Sequence, residues 1–190
     1  MSDFRELVQK YIKDILFSEE EIQLRVSELA ERINEDYQGL EPVFIAVLKG
    51  STYFLSDLTR QIELPLSLDF IAIQSYGAHS ESTGAVKLLK DLDEPIEGKD
   101  VIIIEDIIDT GLTINYLTRS LKARNPRSLR ICTLLDKSAR RLVPVEIAYR
   151  GFEIPDVFVV GYGLDFEQKF RNLPYIGILD IDRVVEDFYG

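Results

Sequence analysis

Glu105, Asp106 and Asp109 set three carboxylates within five residues, directly after the apolar run Val101-Ile102-Ile103-Ile104. Thr110, Gly111, Leu112 and Thr113 follow in the pattern Thr-Gly-x-Thr, and a helical stretch comes next. Each part has a chemical use. Gly111 lets the backbone approach a ligand closely. A helix starting after it leaves unpaired N–H groups facing outward, with the positive end of the helix dipole behind them. The hydroxyls of Thr110 and Thr113 add donors. Together these groups form a cradle for a phosphate monoester. Acids beside such a cradle repel the anion unless they face another part of the ligand. A carboxylate pair can accept hydrogen bonds from a vicinal diol, as on ribose, or hold a divalent metal. The plain alternative is a solvated acidic turn before an ordinary helix cap. Asp-Thr-Gly alone would favour it, but the full run from Val101 to Thr113 does not. The Gly-Lys-Ser/Thr of a P-loop is missing.

These residues need elements to position them. Val101 to Ile104 is the strongest strand signal in the chain. Val43 to Leu48 is another continuous apolar run, as expected of a strand buried on both faces. Ser18 followed by Glu19, Glu20 and Glu21 predicts a capping box, and Ile22, Val26, Leu29 and Ile33 then recur at helical spacing. Gly39 and Pro42 close that helix. Further helices are expected over 52–61 and 115–123. Further strands are expected over 66–74, 86–89, 129–135, 147–149, 157–160 and 176–179, with an exposed loop from Ser75 to Gly84. Strands alternating with helices predict an α/β fold with a mostly parallel twisted sheet. Such sheets bind ligands at the carboxyl ends of their strands, where the acidic turn sits.

Composition bounds the rest. The chain has 190 residues, 46% of them hydrophobic and 29% charged, the balance of a folded soluble domain. A single domain over 1–190 is expected. Twenty-two basic against 33 acidic residues leave a net charge of −11. That excess repels nucleic-acid backbones, though a local site can still oppose the global charge. One Cys and one His, Cys132 and His79, exclude an intrachain disulfide and a structural zinc site. No apolar stretch approaches the roughly 20 residues of a membrane span. The first residues lack the pattern of a signal peptide, so a cytoplasmic location is expected, with no membrane and no nucleic-acid partner.

The run Val101 to Thr113 resembles the phosphoribosyl diphosphate (PRPP) motif of type I phosphoribosyltransferases. Glu105-Asp106-Ile107-Ile108-Asp109-Thr110-Gly111 is closest to the 6-oxopurine branch. Other segments agree in order and spacing from about Pro42 to Leu179: Leu48-Lys49-Gly50, Ser75-Tyr76, Leu135-Asp136-Lys137, Gly151 to Asp156, Phe158 to Asp165 and Phe170 to Pro174. The resemblance implies the type I fold, with a PRPP-binding core over about 40–150. A small purine-binding hood would be built from about 151–190 and part of the N-terminal segment.

It also implies the reaction. A 5-phosphoribosyl group moves from Mg²⁺-bound PRPP to N9 of hypoxanthine or guanine, giving IMP or GMP and diphosphate in purine salvage. The resemblance makes Asp109 the acid–base group at purine N7. A helix N-cap is its structural alternative. Glu105 and Asp106 hold the ribose hydroxyls, directly or through Mg²⁺, and Asp165 is a further metal ligand on the diphosphate side. Ile107 and Ile108 carry the motif into the phosphate cradle of Thr110, Gly111, Leu112 and Thr113. Lys49 and Gly50 meet the diphosphate through backbone N–H groups, in a loop where relatives often carry a non-proline cis peptide. Arg171 and Arg141 are further diphosphate contacts, with Arg140 competing for the register of Arg141. Lys137 donates to O6 of the base and Phe158 stacks on its ring. Val157 and Val159 flank Phe158, Val159 offering backbone groups to the base edge. Ser75 and Tyr76 close over the reaction centre. His79 and Cys132 receive no role.

Leu112 stands where some relatives carry Lys, and 138–141 also departs from some relatives. The first forty residues carry no family motif. A homodimer or homotetramer is implied. The rival readings are a xanthine- or pyrimidine-specific enzyme, and a non-enzymatic RNA-binding regulator on the same fold. The net charge and the intact acid set weigh against the regulator.

Overall fold

A computed structural model describes residues 4–75 and 86–189. In chain order the elements are α1 (Phe4–Tyr11), β1 (Ile12–Phe17), α2 (Glu19–Asp36), β2 (Val43–Leu48), α3 (Thr52–Thr59), β3 (Ser67–Ser75) and β4 (Val86–Lys90). Then come β5 (Asp100–Ile108), α4 (Leu112–Lys122), β6 (Ser128–Asp136), β7 (Tyr149–Glu153), β8 (Val159–Val160), β9 (Ile176–Leu179) and α5 (Ile181–Tyr189). A single 3₁₀ turn covers Ser138–Arg140.

The larger sheet runs β4-β3-β2-β5-β6-β7, parallel throughout except where β4 turns back on β3. The uninterrupted apolar runs of β2 and β5 follow from their central places. Alternate residues face opposite layers. Phe44, Ala46, Ile102 and Ile104 pack with Ile22, Val26, Leu29 and Ile33 of α2 and with Phe54 and Leu58 of α3. Val43, Ile45, Val101 and Ile103 pack on the other side with Ile114, Leu117 and Leu121 of α4. The capping box that starts α2 is formed: Glu21 N–H donates to Ser18 Oγ at 3.2 Å and Ser18 N–H to Glu21 Oε2 at 2.8 Å.

A second sheet of three antiparallel strands runs β1-β9-β8. Its core is Tyr11, Val160, Phe170, Leu173, Leu179 and Val184, between α1 and α5. A Lys10–Asp187 ion pair at 2.8 Å links those two helices. Tyr162 Oη reaches Asp57 Oδ2 of α3 at 2.6 Å, fastening the two sheets' surroundings together.

Several elements differ from the expectation. β5 runs on to Ile108, so Glu105 and Asp106 lie inside the strand, held there by pairing of Glu105 with Thr133 and of Ile108 with Asp136 on β6. α4 begins at Leu112 rather than 115, because the left-handed Gly111 (φ +84°) starts it. The strand expected at 147–149 begins only at Tyr149 and continues to Glu153, and that at 157–160 shrinks to Val159–Val160. α1, β1 and α5 were not expected. β1 leaves Ile15 half exposed, so it lacks the clean alternation that marks a strand in sequence.

Candidate active site

The carboxyl ends of β2, β3 and β5 enclose a cavity of about 230 Å³ lined by Lys49, Gly50, Glu105, Asp106, Thr113 and Asp165, with Arg171 beside them. Its geometry starts at Gly50. A Cβ there would lie 1.5 Å from Asp106 Oδ2, so the Asp106 carboxylate leans directly over the glycine. Gly163 (φ +98°) closes the other side, where a Cβ would meet Gly50 O at 2.1 Å. Only glycine permits both the turn and the approach. The Leu48–Lys49 peptide bond is cis, as the resemblance implied.

Burial dominates the acids' electrostatics. It pushes the Glu105 carboxyl well above its ordinary range, with repulsion from Asp106 adding to the shift. Asp106 is pushed up to about 6 by burial, against the Ile107 N–H donating to it at 2.8 Å and the attraction of Arg171. These are carboxyl groups that a cation or a donor-rich ligand would turn into stable carboxylates.

Arg171 is anchored by donation of Nη1 to Gly163 O at 2.6 Å and by Asp165 Oδ1, 2.6 Å from Nη2. Gln168, which sequence reasoning missed, completes this cluster. Its N–H donates to Asp165 Oδ2 at 2.8 Å, and its Oε1 accepts from Arg171 Nη2 and from Lys49 Nζ at 3.3 and 3.4 Å. A polar residue three positions beyond Asp165 was the available signal.

The far end of the acidic turn forms the start of α4. Gly111 is its N-cap, Leu112 N–H donates to Thr110 Oγ1 at 3.4 Å, and Thr110 O is fixed by Leu142 N–H at 2.9 Å. The first-turn N–H groups of α4 therefore open onto the turn that Thr110 and Thr113 border. Asp109 is not the N-cap, which corrects that alternative. Its Oδ1 is covered and accepts no hydrogen bond, although Arg140 Nε stands 3.3 Å away.

Lys137 is buried, its backbone N–H held by Ile108 O at 2.9 Å and its Nζ 3.9 Å from Asp156 Oδ1. Phe158 is 41% exposed and touches Phe166 edge-on at 5.8 Å between ring centroids, so it is no core aromatic. Val159 is buried in β8, and Val157 is half-buried beside Phe158. Ile107 is half-buried and Ile108 buried at the end of β5, while Leu112 is exposed.

Arg141 stands elsewhere than expected. Its Cδ lies 2.9 Å from where a Gly111 Cβ would be, and its guanidinium pairs with buried Asp136 rather than joining Arg171. Asp136 also takes Arg150 Nε at 3.0 Å. The expected metal set of Glu105, Asp106 and Asp165 does not close as a cage. Among the described residues no three His, Cys, Asp or Glu side chains converge to hold an ion. Ser75 ends β3, and nothing of its side chain is described. Tyr76, His79 and the rest of the loop expected from Ser75 to Gly84 lie outside the described residues. Cys132 is buried in β6, where burial raises its thiol pKa and leaves it inert.

The family whose model carries the description phosphoribosyl transferase domain matches residues 13–167. The chain belongs to the phosphoribosyltransferase family. The match takes in α2 and all of β1 but its first residue, within the first forty residues where the sequence had offered no motif. A hypoxanthine-guanine phosphoribosyltransferase of Mycobacterium bovis is 50% identical over 181 residues, covering 92% of this chain and 90% of that protein. The Bacillus subtilis protein of the same name is 49% identical over 168 residues, 88% of this chain and 93% of that one. The crystal structure of a hypoxanthine phosphoribosyltransferase from Staphylococcus aureus superposes with a TM-score of 0.89 at 45% identity, covering all of both chains. In this phosphoribosyltransferase the mixed, mostly parallel sheet flanked by helices is thus the expected type I architecture, and the resemblance read from the acidic turn holds.

Proposed function

We infer that this chain transfers a 5-phosphoribosyl group from PRPP to N9 of a 6-oxopurine, hypoxanthine or guanine, releasing diphosphate. One observation carries the reading. One stretch, Glu105 to Thr113, presents acids at the end of β5 and helix N–H groups a few residues later, beside a second cluster in which Lys49 and Arg171 are gathered with Gln168 and Asp165. A ribose 5-phosphate that also bears a diphosphate has that distribution of groups. Relatives about 50% identical bear the name of this activity.

The residues divide the work by place. Thr110, Gly111, Leu112 and Thr113 bind the 5′-phosphate through backbone and hydroxyl donors. Glu105 and Asp106 accept hydrogen bonds from the ribose diol. Lys49, Gly50 and Arg171 receive the leaving diphosphate, which develops charge as the anomeric bond breaks. Arg141 contributes beside the cradle through its hold on Asp136. Lys137 donates to O6, Phe158 stacks on the ring, and Val157 and Val159 frame the base. Asp109, with one covered oxygen lacking a hydrogen bond, exchanges the proton at N7. Ser75 and Tyr76 would close the site and exclude water, which matters because PRPP can be hydrolysed.

Asp106 and Asp165 share the cavity with Arg171. This donor set fits a hard divalent cation that arrives with the diphosphate, since it supplies oxygen ligands without a closed protein cage. Glu105, Asp106 and Asp165 would hold such a Mg²⁺ ion, which when bound neutralises phosphate charge. The same reading implies a homodimer or homotetramer acting in the cytoplasm, with the small sheet as the purine-binding hood.

The test is a diphosphate-release assay with PRPP, Mg²⁺ and each of hypoxanthine, guanine, xanthine, adenine and uracil. Release with hypoxanthine and guanine is expected. Silence with every purine contradicts the reading, and activity with uracil alone replaces it.

A further inference from the structure

Arg140 stands between two carboxylates at the base end of the site. Its Nε lies 3.3 Å from Asp109 Oδ1, and its Nη1 3.5 Å from Asp156 Oδ1. The same Asp156 oxygen is 3.9 Å from Nζ of the buried Lys137, attracted but beyond hydrogen-bond reach. Two cations thus share one carboxylate. The neighbouring Arg141 is committed to Asp136, so the adjacent arginines have separate tasks.

We propose that Arg140 is a positioning residue for recognition of the base oxygen: by engaging Asp156, it keeps that carboxylate from capturing Lys137 and leaves the buried ammonium's donors for the ligand. The proposal rests on the reading of Lys137 as the donor to O6. The planar guanidinium can face both acids at once, and the Asp109 contact fixes where it sits. Without Arg140, the cation left to Asp156 is Lys137, 3.9 Å away. Lys137 is buried although Asp156 is 57% exposed, so the shielding on the lysine side alone strengthens the attraction and the pair closes. An incoming purine must then break that pair before Lys137 can serve it.

Steady-state kinetics on the full chain, with guanine, PRPP and Mg²⁺, test this. Arg140→Gln should raise the KM for guanine about tenfold while the KM for PRPP stays within about twofold. Adding Asp156→Asn should bring the guanine KM back to within about threefold of the parent, because the competitor has been removed. Arg140→Lys keeps a cation opposite Asp156 and should also stay within about threefold. Asp156→Asn alone should leave the guanine KM at or below the parent value, which keeps the idea exposed should the Gln variant fold poorly. A merely structural loss would raise both KM values and would not be relieved by a second substitution. An unmoved guanine KM in Arg140→Gln, or a raised one that persists in the double variant, overturns the role of Arg140. A parent chain that turns over no 6-oxopurine defeats instead the functional reading beneath it.

Discussion

Asp109 is the residue on which the proposed chemistry turns. One of its oxygens is covered and accepts no hydrogen bond, with Arg140 Nε at 3.3 Å. The side chain as a whole is 39% exposed, so its other oxygen is the one that can meet a proton of the ligand. Asp109→Asn keeps the shape and removes the acid–base function. It should lower kcat by about 10²-fold or more, as is typical for loss of a positioned general acid or base. Binding of the nucleoside monophosphate, measured by calorimetry, should stay within about threefold. Unchanged turnover would refute the assignment. At this scale the sequence was most legible where chemistry and chain order coincide: the acids, Gly111 and the two threonines follow one another from the end of β5 into the first turn of α4. It was least legible where partners come from distant segments. Gln168 bridging Lys49 and Arg171, the Arg141–Asp136 pair and the Arg140 contacts are set by folding and by no local pattern.

At the element scale, β5 must be held at both ends for its carboxyl end to present the acids. Asp100 opens the strand, buried, with Arg127 paired to it and Ser128 Oγ donating at 2.7 Å. The Arg127 hydrogen bond and then Ser128 hold the Asp100 carboxyl below its ordinary value, against the effect of burial. The sign of the linkage follows. An acid whose folded pKa is depressed contributes stability above its unfolded pKa and loses it as pH falls through the folded value. Asp100→Asn should therefore lower stability at pH 7 by about 1 kcal/mol, modest because Arg127 is half exposed, or about 2–4 °C in Tm. The gap should shrink as pH falls below the ordinary unfolded aspartate range, about 3.9, towards the depressed folded value. A gap independent of pH would sink this account. The elements read most readily from sequence were the central ones, β2, β5 and α2, whose burial on both faces or along one helical stripe leaves a strong pattern. β1 was not legible because half-exposed residues such as Ile15 break its alternation, while α1 and α5 have a clear apolar stripe but are only 8 and 9 residues long.

Over the whole molecule, the cavity lies where the large sheet meets the segment between β8 and β9. β5 and the turn after β2 supply Glu105, Asp106 and Gly50, and the segment after β8 supplies Asp165 and Arg171. Gly163 resting against Gly50 O fixes the approach of one to the other. Sequence order alone could not show that β1 completes the small sheet through β9, since strands 160 residues apart pair only after collapse (~10² residues of intervening chain). The net charge of −11 makes the local cations decisive, because the surrounding field opposes an anionic ligand. The central claim is that the turn from Glu105 to Thr113 wraps a ribose phosphate. Its most direct test is a crystal structure with guanosine 5′-monophosphate bound. The account predicts the phosphate on the N–H groups of Gly111, Leu112 and Thr113, with the ribose hydroxyls on Glu105 and Asp106. A nucleotide seated elsewhere, with those amides and carboxylates facing solvent, would contradict it.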